Sequence, residues 1–240
     1  MPAPARPARG RPLLSHDRIV DTALDLLHGL ALKELTMRRL AQALNTTPAA
    51  LYGYFRSQDE LFAAVATRVV RGIELGAMED TADWQQRLRL WARAVRSRQL
   101  EFASTVAMAQ ISPHIPASWF EVTAPLLRAL EMAGLSGKAL IDTARCFSRI
   151  VYGSILTELA QDPYLLQCER TEAGAALEHL SPSAAGQIAE ILPYLGAQDN
   201  DALFEMTIDC ALRGIAAGLP PPACASRAPA CAAGCTRGAR

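Results

Sequence analysis

Residues Thr36–Phe55 read TMRRLAQALNTTPAALYGYF, and no other segment of the chain says as much about its architecture. Thr36 can cap a helix in which apolar side chains recur at three- and four-residue spacing. Asn45 tolerates the left-handed conformation that a tight turn requires, and Thr47 with Pro48 can begin a second short helix. Two short helices joined by a tight turn form a helix-turn-helix, whose second helix can enter the major groove of DNA.

Apolar periodicity predicts helices along almost the whole chain, and we find no strand pattern of any length. One amphipathic helix precedes the helix-turn-helix, and Ser57 with Glu60 fits a capping box that opens a long fourth helix toward Met78. The stretch 162–180 is mixed, polar and glycine-containing, which favours a mobile loop. Further helices are predicted at about 84–98, 118–134, 136–160, 182–195 and 199–218.

These helices and breaks divide the chain into four segments. Residues 1–14 form a flexible basic arm, although their arginines equally suit an ordinary solvated tail. Residues 15–62 form the DNA-binding domain, 63–219 an effector-binding and dimerisation domain, and 220–240 a disordered tail. The predicted fold class is therefore all-α, with an N-terminal three-helix helix-turn-helix DNA-binding domain plus a C-terminal helical ligand-binding and dimerisation domain.

Composition and charge exclude several classes of protein. The chain carries 24 basic and 24 acidic residues, so any DNA contact must come from a local surface rather than from net charge. No apolar run reaches the roughly 20 residues that span a bilayer, and the start of the chain lacks the apolar centre of a secretory signal. We therefore expect a cytoplasmic protein with no membrane partner.

Catalytic arrangements are missing from the sequence. It contains no nucleophile elbow, no glycine-rich loop that would cradle a phosphate and no paired histidine ligands. A small helical hydrolase or transferase would need such a set of residues. We predict that the chain is not an enzyme and needs no cofactor.

The six cysteines leave one alternative open. Three lie in the helical part and are most simply small apolar fillers or free thiols. Three lie in the low-complexity tail at a spacing that matches no standard zinc module, so we predict no metal site. A helix-turn-helix regulator that senses metal or redox state through the tail cysteines is the alternative. The two groups are Cys146, Cys168 and Cys210, and Cys224, Cys231 and Cys235.

Three short motifs follow one another in an order and spacing typical of a known family: LTMRRLA at 35–41, LYGYF at 51–55 and SQDEL at 57–61. Over about residues 15–70 they resemble the DNA-binding domain of the tetracycline-repressor (TetR) family. The resemblance implies a transcriptional regulator, and a repressor rather than an activator. A weaker similarity to the tetracycline-repressor type of C-terminal domain comes from Trp84, LEMAGL at 130–135 and ALFE at 202–205.

Three residues depart from the family pattern. Gln58 stands where lysine is usual, and because it carries no charge we expect a shallower salt dependence of DNA binding. Asn45 stands where glycine is usual and is the next best residue for that turn. Gly53 removes a side chain that often reaches DNA, and within a helix it costs about 1 kcal/mol relative to alanine.

Candidate DNA contacts lie on and beside the second helix of the motif. Arg38 suits a bidentate contact to guanine, and the methyl groups of two alanines suit the thymine methyl group. The hydroxyl of Tyr52 can donate to a phosphate, although its ring would equally suit packing. The arm arginines, Arg6, Arg9 and Arg11, can follow the minor groove or phosphates. The candidate set is Thr36, Arg38, Thr47, Ala49, Ala50, Tyr52, Tyr54 and Gln58.

Two helices are apolar on more than one side and therefore need cover on each. They are 136–160, in which Gly153 would permit close approach of a neighbour, and 199–218. The resemblance implies that they form a four-helix interface with a second copy, while full burial within one subunit is the alternative. A homodimer would present two recognition helices about 34–36 Å apart to a palindromic double-stranded operator.

A helical body without catalytic residues favours a pocket for a small, largely apolar effector. Large side chains on the central helices are candidates for its lining, although each also suits an ordinary core. His114 could add one polar contact. The candidate set is Trp91, Val95, Phe102, Met108, Ile111, His114, Trp119, Leu127 and Phe147. We expect solvated faces for Arg87, Arg89, Arg93, Arg96 and Arg98.

Overall fold

The computed structural model describes residues 14–103, 117–161, 163–195 and 199–219. Every regular element in these ranges is helical, which confirms the all-α prediction. No helix among them is long and apolar enough to cross a membrane. The α-helices are α1 (His16–Leu27), α2 (Met37–Ala43), α3 (Pro48–Tyr52), α4 (Gln58–Arg71), α5 (Trp84–Glu101), α6 (Ala117–Met132), α7 (Gly137–Ala160), α8 (Pro163–Ala176), α9 (Pro182–Ile191) and α10 (Asn200–Gly218).

Side-chain caps begin three of the first four helices as the sequence predicts. The hydroxyl oxygens of Thr36, Thr47 and Ser57 accept the backbone N–H three residues later, at 3.2, 3.3 and 3.1 Å. Each such cap stabilises its helix by about 1 kcal/mol. Asn45 has a φ of 52°, the left-handed conformation expected of the turn. Local signals therefore account for the helix-turn-helix.

Only half of the predicted capping box forms at the start of α4. Ser57 caps the helix, but the carboxylate of Glu60 accepts the N–H of Arg56 at 2.6 Å instead of that of Ser57. The acidic group still lies at the N-terminal end of the helix, where it interacts favourably with the helix dipole.

The far end of α4 differs from the prediction. The helix ends at Arg71 and does not continue toward Met78. The guanidinium of Arg98 lies against Gly72, where a Cβ atom would overlap it, and Arg98 Nε donates to the carbonyl of Val69 at 3.1 Å. Because this arginine occupies the helix terminus and satisfies one of its open carbonyls, the chain turns away at this point.

The prediction of a mobile loop over 162–180 is wrong. Most of this stretch forms α8, which Pro163 begins at a position where a missing N–H costs nothing. A guanidinium nitrogen of Arg170 donates to the carbonyl of Pro193 at 3.1 Å and ties α8 to the segment after α9. None of the side chains described at 168–176 is buried, so α8 lacks the apolar stripe on which a prediction from sequence depends.

Two hydrophobic cores divide the molecule into a head, formed by α1–α4, and a body, formed mainly by α5, α6, α7 and α10. α4 contributes to both cores. Leu61, Val65 and Val69 pack in the head, whereas Val70 packs in the body. The head core includes six buried residues of the helix-turn-helix motif: Met37, Leu40, Ala41, Leu44, Leu51 and Phe55.

Candidate DNA-binding surface and effector domain

The apolar residues of the helix-turn-helix pack in the head core, and most of its polar side chains are exposed to solvent. The backbone N–H of Thr46 donates to the carbonyl of Ala41 at 2.9 Å and closes the turn between α2 and α3. α3 spans only Pro48–Tyr52, and Leu51 anchors it in the head core. In a helix this short, only the first turn and the C-terminal residue can contact DNA, as expected of a recognition helix.

Gly53 is not inside the recognition helix. It is the C-terminal cap of α3, with a φ of −71°, so the expected cost of a glycine in a helix interior does not apply. A Cβ atom there would lie 3.2 Å from the carbonyl oxygen of Ala50, a contact tight enough that the backbone would have to shift slightly. The correction follows from the length of α3, which the sequence pattern does not define.

Most of the candidate DNA contacts are exposed on the helix-turn-helix. Arg38 is exposed and has no hydrogen bond or ion pair with any residue in the described ranges. Tyr52 is 52% exposed, so the alternative that its ring is buried by packing does not hold for the described head. Thr36, Thr47 and Ala49 are also exposed, and Ala50 is half-buried.

Two candidates already have partners within the protein. The hydroxyl of Tyr54 donates to the carbonyl of Leu14 at 2.8 Å, and Nε2 of Gln58 donates to the carbonyl of Leu35 at 2.8 Å. A tyrosine hydroxyl has one proton to donate, whereas an amide NH₂ has two. Gln58 therefore has one side-chain N–H left to donate to a phosphate. The hydroxyl of Tyr54 has no proton left unless its bond to Leu14 breaks.

The body brings together five of the predicted effector residues. Trp91, Val95 and Phe147 are buried in its core, where the rings of Trp91 and Phe147 lie 6.0 Å apart. Indole Nε1 of Trp91 donates to the carbonyl of Val122 at 2.8 Å, which joins α5 to α6. Leu127 and Trp119 are half-buried on α6.

Phe102 lies elsewhere. Its ring packs in the head core, 4.6 Å from the ring of His28, and the guanidinium of Arg98 lies 4.2 Å from its centroid. The chain leaves α5 at this residue and turns its side chain toward α1 and α4, so Phe102 joins the head to the body instead of lining the body interior. The other three candidates, Met108, Ile111 and His114, lie outside the described residues, as do the basic arm 1–13 and the tail 220–240.

The expectation of solvated faces is wrong for four of the five arginines of α5, which are half-buried; Arg93 is exposed, and all five have partners. Arg93 makes a two-bond ion pair with Glu205, at 2.6 and 2.8 Å, and Arg89 pairs with Asp209. Arg96 makes the corresponding pair with Glu158 at 2.8 Å. The remaining two donate to carbonyls, Arg87 to that of Thr81 and Arg98 to that of Val69.

These ion pairs shift the pKa values of the side chains that form them. The hydrogen bond from Arg93 holds the pKa of Glu205 below its usual value, and the bond to Glu158 raises the pKa of Arg96. Asp201 adds a second partner for Arg96 at 2.7 Å. Acidic residues four apart on α10 face basic residues three and four apart on α5. Each spacing is visible in the sequence, but nothing in it pairs the two helices. We call this set the ion-pair ladder.

The outer sides of α7 and α10 remain open. Their inner sides pack in the body core, but between their outer sides lies a largely apolar groove of about 800 Å³. Met206, on the α10 wall, is 55% exposed. Two exposed free cysteines, Cys146 and Cys210, also line the groove. Both helices therefore present apolar surface that one described subunit does not cover.

No group of three or more metal-ligating side chains occurs within the described part of the chain. Cys168 is half-buried and free. The tail cysteines, Cys224, Cys231 and Cys235, are beyond the described residues.

An exposed helix-turn-helix on a helical body defines a DNA-binding transcriptional regulator. Comparison with known families narrows this class. Residues 19–65 match the model of the bacterial regulatory proteins of the tetR family, and residues 77–219 match that of the tetracyclin repressor-like C-terminal domain. The chain belongs to the TetR family.

Individual relatives agree with this assignment. The class A tetracycline repressor from transposon 1721 of Escherichia coli is 27% identical over 205 residues, 85% of this chain and 91% of that protein. Other relatives are named transcriptional regulators or repressors, which confirms that the chain is not an enzyme. None of these similarities supports sensing of metal or redox state.

Two solved structures share the fold. ActR of Streptomyces coelicolor in complex with actinorhodin has a TM-score of 0.73 at 23% identity, covering 87% of this chain and 98% of that one. BioQ of Mycobacterium smegmatis, solved with its double-stranded DNA operator, has a TM-score of 0.61 at 23% identity, covering 85% and 99%. At these identities the likeness concerns the fold alone.

Proposed function

We propose that the chain is a cytoplasmic ligand-responsive repressor, which binds a palindromic operator as a homodimer and is released by a small, largely apolar effector. The observation that carries the proposal is the exposed polar surface of the helix-turn-helix, on which Arg38 has no partner among the described residues. A guanidinium free of internal ion pairs can offer its paired donors to guanine.

In the proposed complex, α3 enters the major groove. Arg38 reads a guanine, Thr47 and the alanines Ala49 and Ala50 contact base edges, and Tyr52 donates to a phosphate. Thr36 and the remaining N–H of Gln58 contact the backbone, while Tyr54 serves chiefly to hold the start of α1. The structure of BioQ with its operator supports this use of the fold.

The groove between α7 and α10 supports the homodimer. An apolar surface on two long helices favours burial against another protein surface. A second copy would supply the same two helices, and a twofold axis would set the two heads as a pair on a palindrome. The shared C-terminal family match is consistent with this arrangement.

The interior between α5, α6 and α7 supports the effector site. Trp91, Val95, Leu127 and Phe147 pack in the apolar core there, and Trp119 packs against Tyr152. A ligand that entered this core would meet a largely apolar and aromatic surface. ActR was solved with actinorhodin in complex, and this chain shares its fold. An effector can release the operator only if it prefers one arrangement of the two heads.

Selection of operators from random duplexes tests the proposed function without knowledge of the target gene. The full chain is expected to enrich palindromes with half-sites about one helical turn apart. Lipophilic compounds that bind the protein should then displace the enriched duplex. No enrichment over a pool treated without protein would contradict the proposal.

A further inference from the structure

Three buried side-chain atoms in the described part of the chain have no hydrogen-bond partner: Ser118 Oγ, Tyr152 Oη and Gln161 Oε1. Native proteins leave few buried polar atoms unpaired, so each one requires an explanation. Two of these atoms are hydroxyls on the helices that line the proposed effector site, Ser118 on α6 and Tyr152 on α7.

Other hydroxyls on the same two helices are satisfied. Thr123 on α6 donates to the carbonyl of Trp119 at 2.8 Å, and Thr157 on α7 donates to the carbonyl of Gly153 at 2.9 Å. A short hydroxyl can reach back to the preceding turn in this way. A tyrosine hydroxyl cannot, because its ring carries it away from its own helix. The unpaired state of Tyr152 is therefore not a general property of these helices.

An aromatic pair lies beside one of the unpaired hydroxyls. The rings of Tyr152 and Trp119 are 5.2 Å apart, and Ser118 directly precedes Trp119. Ser118 is 1% exposed, and both Trp119 and Tyr152 are half-buried. Burial raises the pKa of Tyr152 above its usual value, so its hydroxyl keeps the proton it can donate.

The arginines of α5, a helix that contributes to this interior, do not favour an anionic ligand. The guanidinium groups of Arg89, Arg93 and Arg96 are already paired with carboxylates of the chain. A ligand carboxylate would have to compete with those partners. A neutral oxygen, in contrast, can pair with a neutral hydroxyl at no such cost.

We propose that the hydroxyls of Tyr152 and Ser118 are the polar anchors of the effector site, and that the effector is a neutral planar aromatic compound bearing a hydroxyl or carbonyl oxygen. This inference rests on the proposed function, since it assigns specificity to the same site. Trp119 supplies a flat face for the ligand ring. Because the hydroxyl of Tyr152 is sealed from water, side chains around it must move to admit the ligand.

Two probes of matched shape test the anchor in the full chain: 1-naphthol, which has a hydroxyl, and naphthalene, which has none. Quenching of tryptophan fluorescence measures their binding. Wild type is expected to prefer 1-naphthol about fivefold, the typical effect of one net hydrogen bond. Tyr152→Phe and Ser118→Ala should each reduce that preference, whereas Thr123→Val, which removes an internally bonded hydroxyl, should retain it.

Equal binding of the two probes, binding of neither, or an unchanged preference in both anchor variants would overturn the inference. Thermal unfolding without ligand adds an independent measurement. Removal of an unpaired hydroxyl should leave the melting temperature of both variants equal to wild type or higher. A melting temperature several degrees below that of wild type would show that the hydroxyl has an internal partner, and would also overturn the inference. Operator selection reports on the proposed function separately, so a chain that enriches no operator can still support the anchor.

Discussion

Arg38 carries the most specific part of the proposed DNA contact. It lies on α2 at the edge of the recognition surface and has no partner among the described residues. Its neighbour Arg39 is also exposed but points in another direction, about 100° further around the helix axis. The two residues share charge and size, so they provide a matched pair for separating base recognition from attraction between opposite charges.

Arg38→Ala is expected to weaken binding to the selected operator by about 1–3 kcal/mol, because it removes a bidentate base contact. Arg39→Ala should have a smaller effect that is similar for specific and random duplexes. Fluorescence anisotropy at fixed salt measures both affinities. An operator affinity for Arg38→Ala equal to that of wild type would remove Arg38 from the recognition of bases.

At the scale of the element, the ion-pair ladder holds α10 against α5. Arg93 and Glu205 are both more than a third exposed, so their pair contributes less than about 1 kcal/mol. Arg96, which also bonds Asp201 of α10, and its α7 partner Glu158 are only 14% and 15% exposed, so loss of Glu158 would remove one partner of a largely buried charge. The ladder therefore specifies the position of the proposed dimerisation helix more than it adds to overall stability.

The lowered pKa of Glu205 makes this part of the fold sensitive to acid. A carboxylate whose pKa is lower in the folded than in the unfolded state stabilises the fold above its unfolded pKa of about 4.5. That contribution disappears as the pH falls through the folded value. Glu205→Gln should therefore reduce the fall in melting temperature between pH 6 and pH 3, by about 2 °C or less.

The matched control is Glu190→Gln, since Glu190 is exposed on α9 and has no partner among the described residues. It should leave the acid sensitivity as in wild type. Melting curves recorded across the pH range give all three profiles. A Glu205→Gln profile that coincides with that of wild type would show that the pair does not contribute in solution.

The sequence predicted those elements whose signals are local. Caps at Thr36 and Thr47 and the turn at Asn45 each involve residues within a few positions, and all three formed as expected. The pairing of Arg89 with Asp209 joins residues 120 positions apart, so no local pattern indicates it. Phe102 was predicted among the effector residues but packs in the head core, because apolar spacing predicts that a side chain is buried and not which helices bury it.

At the scale of the whole molecule, the connection between head and body is compact. Arg98 bonds the end of α4, its guanidinium covers Phe102, and Phe102 contacts His28 at the end of α1. Movement of α5 would therefore be transmitted to both α1 and α4. This arrangement offers a physical route by which an effector between α5, α6 and α7 could alter the spacing of two heads.

The proposed dimer depends on the apolar groove between α7 and α10. Met206→Glu places a charge on its exposed wall and should produce a folded monomer with greatly reduced operator affinity. Ile191→Glu, at a residue that is 46% exposed and does not line the groove, should leave both properties unchanged. Circular dichroism of both variants establishes that each retains the helical fold.

Light scattering of the full chain alone and with its selected duplex tests the central claim most directly. The expected masses are those of two chains in solution at micromolar concentration and of two chains bound to one palindromic duplex. Met206→Glu should give the mass of one chain and no stable complex. A wild-type monomer at micromolar concentration, or a Met206→Glu variant that binds the palindrome as tightly as wild type, would contradict the account.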